Sequence, residues 1–157
     1  MPSGSHCPSP ATRPSRALGA FEALPAHPDA EPALVRLVAA GLRVIVLTNG
    51  GEVQTRALLQ RTGLDPTSRR WWGRRAQGGG SRRQARNRHA ARVVGIDPSS
   101  LALIAVHSWD VHNARRAGLM TGWAPRLEGR LPEVFDPPHV SGRDLVEVAD
   151  ALIALDR

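Results

Sequence analysis

The chain contains no lysine, no tyrosine and a single cysteine. One cysteine, Cys7, excludes an intrachain disulfide, and a reducing, cytoplasmic setting is the expectation that follows. Long hydrophobic runs are also missing. No window approaches the roughly 18 apolar residues of a membrane span, so no membrane partner is expected. Met1 to Arg16 is rich in Pro and Ser and has no apolar h-region, which argues against a secretory signal. With Pro2, Pro8, Pro10 and Pro14 and no apolar periodicity, residues 1–17 are expected to be disordered.

The formal charge of +7 hides an uneven distribution. All 21 basic residues are arginine, and nine of them fall between Arg69 and Arg92, a window without Asp or Glu. The other 12 arginines stand against 14 acidic residues. The chain therefore reads as a mildly acidic body with one strongly basic insert, unlike a uniformly basic nucleic-acid-binding domain.

At 157 residues the chain is long enough for one domain with a real core. Its organising stretch is Gly41 to Gly51. Val44-Ile45-Val46-Leu47 is an apolar, β-branched run closed by Thr48-Asn49-Gly50-Gly51, which predicts a parallel strand covered on both faces. Ahead of it, a helix is expected from about Pro32 to Ala40. Asp29 is its candidate N-cap, Leu34, Leu37 and Val38 form its apolar face, and Gly41 stops it. Behind it, Val53, Ala57 and Leu58 have helical spacing, with Gly63 as the stop. Thr48 and Asn49 lie where open α/β sheets bind ligands, at the carboxyl end of a strand. A plain N-capping turn explains the same two residues without a ligand.

Leu64 to Asn87, with Trp71 and Trp72, shows neither period. Order returns with a helix over His89–Val94 that stops at Gly95 to Pro98. A second buried strand is expected over Leu101–Val106, a helix over Asp110–Ala117 and a short strand over Leu119–Trp123. A Pro-rich loop then covers 124–142, and a closing helix runs from Asp144 to Leu155 with Leu145, Val148, Ala149, Leu152 and Ile153 on one face. Alternating strand and helix signals predict an α/β fold with a parallel sheet. The domain expected is 18–157, with an irregular insert at about 66–87.

The stretch Leu103-Ile104-Ala105-Val106-His107-Ser108-Trp109-Asp110, followed by Ala117-Gly118-Leu119 and Trp123-Ala124-Pro125-Arg126, resembles the fourth motif of the type II 2-haloacid dehalogenases. These belong to the haloacid dehalogenase-like hydrolase superfamily. Leu47-Thr48-Asn49-Gly50 is similar to the family's second motif. The resemblance covers roughly 20–65 and 88–155. It implies a Rossmann-like parallel sheet flanked by helices and a covalent reaction. A carboxylate displaces halide from C2 of a 2-haloalkanoic acid, the small-molecule partner, and water then hydrolyses the aspartyl ester. By this resemblance Asp110 is catalytic, orienting a lysine and the nucleophile or the hydrolytic water. Thr48, Asn49, His107 and Trp109 would bind substrate. Trp109 stands where magnesium-dependent phosphatases of the superfamily usually place a second acid. One carboxylate is too few oxygens for a hard cation, so no metal and no cofactor are expected. N-capping of the following helix explains Asp110 without catalysis, and core packing explains Trp109.

The resemblance also shows what the chain does not carry. No Asp-x-x-Gly-Thr strand, the family's nucleophile, occurs, and the cap domain that follows it is missing. The family's lysine, in a Trp-Lys-Pro-like segment, has no counterpart. One permitted choice of codons for Gly79 to Gln84, GGT-GGA-AGC-CGG-CGC-CAG, encodes Trp-Lys-Pro-Ala-Pro when read from the third base. The stretch 66–87 is therefore read as a frameshifted segment of a truncated core, inactive as written. Without the nucleophile strand the sheet would leave an open edge, which invites a homodimer. Two alternatives stand beside this reading. One is a nucleic-acid-binding module built on Arg69–Arg92 with Trp71 and Trp72. The other is a small magnesium-dependent phosphatase.

Overall fold

The structure, a computed structural model, describes residues 24–48, 52–64, 81–126 and 128–155, with backbone alone at 52 and 81–86. In chain order these residues form α1 (Ala30–Ala39), α2 (Glu52–Arg61) and α3 (Ser81–Val94), then a 3-10 turn at Pro98–Ser100 and β1 (Ala102–Ala105). α4 (Ser108–Arg116), β2 (Met120–Trp123), β3 (Val140–Ser141) and α5 (Leu145–Leu155) follow. The strands make one parallel sheet in the order β1-β2-β3, with Ile104 opposite Gly122 and Gly122 opposite Val140. The α/β class and the parallel sheet are as the periodicities predict.

Successive β1 side chains point to opposite faces, and different helices cover the two faces. Leu103 joins Leu101 against Ala114, Ala117 and Leu119 on the α4 side. Ile104 faces the other way, into the cluster of Ala33 and Leu37 from α1 with Ala149 from α5. It also meets Val148 and Leu152 of α5. α5 lies so close to the sheet that a Cβ on Gly122 would sit 2.4 Å from a Val148 methyl. Only glycine fits there, and overpacking of this kind typically costs ~1–3 kcal/mol. The long loop between β2 and β3 is sewn back to the sheet by His139. Its Nδ1 accepts the Thr121 N–H (3.1 Å) and lies 2.9 Å from Thr121 Oγ1, and Thr121 is fully buried.

Four expectations need correction. Val44–Leu47 forms no strand; these residues are half-buried and have no ladder partner among the described residues. A β-branched run favours a pleated surface but cannot supply the neighbouring strand that completes a ladder. β1 is not buried either, since Ala102 is exposed and the next three residues are half-buried. α1 turns Ala33 and Leu37 inward, while Val38 is 51% exposed. The helix read as starting near His89 already begins at Ser81. The Pro-rich loop also hides β3, too short to give a period. Residues 1–23, Asn49 and residues 65–80, which include Trp71, Trp72 and most of the basic insert, lie outside the described residues.

Two measurable consequences follow from the surroundings of polar side chains. Asn87 on α3 is 1% exposed, and its side-chain Oδ1 has no hydrogen-bond partner among the described residues. An orphaned buried acceptor costs ~1–3 kcal/mol, and a similar-sized apolar group removes that cost. Asn87→Leu is therefore expected to raise the urea midpoint, and Asn87→Asp to lower it. The second consequence concerns His139. Burial, helped by the Arg115 charge, holds its imidazole below the ordinary 6.5. A depressed folded pKa means stability that is complete above the unfolded value and lost as pH falls through the folded one. Thermal melts should thus be flat above about pH 7 and decline below about pH 6.5, and this decline should be smaller in His139→Gln.

Candidate functional site

The carboxyl end of β1 turns directly into α4. Asp110 N–H and Val111 N–H donate to the His107 carbonyl at 3.1 and 3.3 Å. His107 is therefore the N-cap residue, in an extended conformation, and its imidazole makes no capping bond. Asp110 falls in the first turn of α4 and is half-buried, so it is not the cap itself. A carboxylate there still gains from the positive end of the helix. The His107 ring lies on the Trp109 ring, with centroids 5.0 Å apart and planes 14° off parallel. Asn113 Nδ2 donates to the Trp109 carbonyl at 2.6 Å. The Trp123 indole N–H donates to the Val106 carbonyl at 3.2 Å and ties the ends of β1 and β2 together.

Glu128 completes this turn and is the residue that sequence reasoning missed. One carboxylate oxygen accepts the Ser108 N–H at 2.9 Å, and the other lies 3.4 Å from His107 Nδ1. Burial alone would raise its carboxyl. The bonds from Ser108 and the nearby His107 outweigh that and hold it below the ordinary 4.5. One of three acids in the loop between β2 and β3, with Glu133 and Asp136, it has no period to reveal it; the Gly129 beside it, at φ 63°, is the one local sign of a tight turn. Two residues before Glu128, Arg126 pairs with Asp29, which also accepts the Leu145 N–H at 2.8 Å. Burial would raise Asp29, but Leu145 and Arg126 together keep its carboxyl below the ordinary 3.8. Asp29 was read as the N-cap of α1. It stands at that position without a side-chain capping bond, because its carboxylate is engaged across the fold instead.

The structure thus gathers His107, Trp109 and Asp110 on one turn with Glu128. Thr48 is half-buried on a different segment, whose Leu42 and Val44 pack with Ile104 around one core. Asn49, the other substrate-binding candidate, lies outside the described residues. Among the described residues no group of three His, Cys, Asp or Glu side chains could hold a metal ion. No helix of the described residues is long and apolar enough to cross a membrane.

No family model and no curated protein sequence matches the chain. Solved structures do. The L-2-haloacid dehalogenase from Xanthobacter autotrophicus, solved with chloropropionic acid covalently bound, superposes with a TM-score of 0.75 at 19% identity. The match covers 92% of this chain and 67% of that one. Another L-2-haloacid dehalogenase gives 0.76 at 20% identity, over 94% of this chain and 63% of the other. A HAD family hydrolase from Deinococcus radiodurans R1, with bound phosphate and sodium, gives 0.68 at 17% identity, over 90% and 65%. The chain spans only about two thirds of the length of these proteins, so part of each neighbour has no counterpart here. What is shared across nearly the whole of this chain is the fold of the haloacid dehalogenase-like hydrolases.

Proposed function

We propose that this chain is the core of a 2-haloacid dehalogenase-type hydrolase and is incomplete for that reaction as it stands. The observation that carries the reading is the His107–Asp110 turn. It sits at the carboxyl end of a parallel strand, at the head of a helix, where such folds do their chemistry. In the reaction, a carboxylate oxygen bonds to C2 of a 2-haloalkanoate and the halide leaves with the bonding electrons. Water then adds to the ester carbonyl, releases the 2-hydroxyalkanoate with one of its protons on the new hydroxyl, and restores the carboxylate as the other proton leaves to solvent. Thr48 and Asn49 would hold the substrate carboxylate, His107 and Trp109 would line the site, and Asp110 would orient the reacting groups.

Two parts of that machinery have no candidate in the sequence. The dipeptide Gly-Thr does not occur, so no Asp-x-x-Gly-Thr nucleophile strand exists, and there is no lysine. Asp110 cannot stand in for the nucleophile. It belongs to the helix after β1, while in-line attack at C2 needs a carboxylate held on another line of approach. The edge of β1 away from β2 has no strand among the described residues, and this is where a nucleophile-bearing strand would fit. Trp109 beside Asp110 favours metal-free dehalogenase chemistry over the magnesium phosphatase.

The test is an amide-resolved NMR titration of the chain with L-2-chloropropionate, alongside a chloride-release assay. Amides of Val106 to Asp110 should shift saturably, and Asp110→Ala should abolish the effect. Chloride release should not exceed that of a Thr48→Ala, Asp110→Ala control. Shifts caused instead by inorganic phosphate with magnesium would transfer the reading to the phosphatases. Turnover well above the control would refute the claim of incompleteness.

A further inference from the structure

The N-cap of α4 is occupied by a residue poorly suited to it. Capping favours Ser, Thr, Asp or Asn, whose short side chains accept an N–H of the first turn. His107 makes no such bond. The missing acceptor comes instead from Glu128, twenty residues further along the chain, which takes the Ser108 N–H at 2.9 Å. Its second oxygen then faces His107 Nδ1 at 3.4 Å. The ring is held from the other side by the Trp109 stack. An ionised carboxylate only accepts hydrogen bonds, so the imidazole nitrogen facing it must carry the proton. In the neutral ring that leaves Nε2 with a lone pair.

Gly129 N–H returns to the Pro125 carbonyl at 3.3 Å and closes a tight turn around Glu128. Arg126 in the same turn is paired to Asp29. Glu128 is thus brought to the site by backbone geometry that does not depend on His107.

We propose that Glu128 is a positioning residue of the candidate site, fixing His107 as the Nδ1–H tautomer with Nε2 presented as an acceptor. The inference rests on the reading of this turn as a 2-haloalkanoate site and adds one requirement to it. Beside Glu128, His107 offers a ligand an acceptor nitrogen and not a second N–H donor, which suits a hydroxyl group or a water. His107 would then contact the hydroxyl side of a 2-hydroxyalkanoate product more readily than its carboxylate.

Long-range proton–nitrogen NMR of the 15N-labelled full chain, recorded without ligand on the neutral imidazole, reads the tautomer directly. Wild type should show Nδ1–H as the main form, as expected beside an ionised carboxylate. Glu128→Ala should move the ring toward the Nε2–H form. A merely structural Glu128 would change stability and the Ser108 amide but leave the tautomer ratio alone. Nε2–H as the main form in wild type overturns the proposal without any variant, and so does a ratio unchanged in Glu128→Ala. Because no ligand is present, a failed chloropropionate titration together with the expected tautomer would remove the substrate reading and leave this one standing.

Discussion

The carboxylate of Asp29 joins three distant parts of the chain. It precedes α1, pairs with Arg126 in the turn after β2, and accepts the Leu145 N–H where α5 begins. Hydrogen bonds to a charged group contribute ~1.5–3 kcal/mol each, so this one group can decide whether α1 and α5 dock in register. Their docking in turn covers the Ile104 face of the sheet, through Ala33, Leu37 and Ala149. The same turn carries Glu128 to the head of α4. Fold and candidate site therefore share one anchor. A change at Arg126 would reach both the α1–α5 layer and the surroundings of His107.

The second constraint is the edge of β1. On one side β1 is laddered to β2 along its whole length. On the other, the apolar segment 42–48 shares the core of Ile104 through Leu42 and Val44, yet has no strand partner among the described residues. The two apolar stretches share one core, and no described residue forms a ladder between them. The neighbours, of which this chain spans about two thirds, have more chain than this one. Among the described residues this edge of β1 is unpaired, and an unpaired edge is where a sheet most readily takes up a further strand.

Most of the architecture was legible because it rests on periodicity. α5 shows its buried stripe of Val148, Ala149 and Leu152 directly in the sequence, and the β1–α4–β2 unit reads as an apolar run, a helix and a second apolar run. What failed depended on neighbours. Val44–Leu47 has the composition of a strand but no ladder partner among the described residues. Val38 has the right spacing for the face of α1, yet Ala33 takes the buried place because α5 approaches from that side. The site divides in the same way. His107, Trp109 and Asp110 are adjacent in sequence and share a turn. Glu128 is joined to them only by the return of the loop after β2, and nothing local in its sequence signals that contact.

The fold is that of the haloacid dehalogenase-like hydrolases, and the proposal that rests on it is a strand position between 42–48 and β1 that no described residue fills. Residue-resolved hydrogen exchange under native conditions tests it most directly. The amides of Val44 to Leu47 should exchange almost as fast as unstructured chain, while those of Thr121 to Trp123 in β2 are protected to the level of global unfolding. Equal protection in the two segments would mean that 44–47 is laddered, and the unfilled position would not exist.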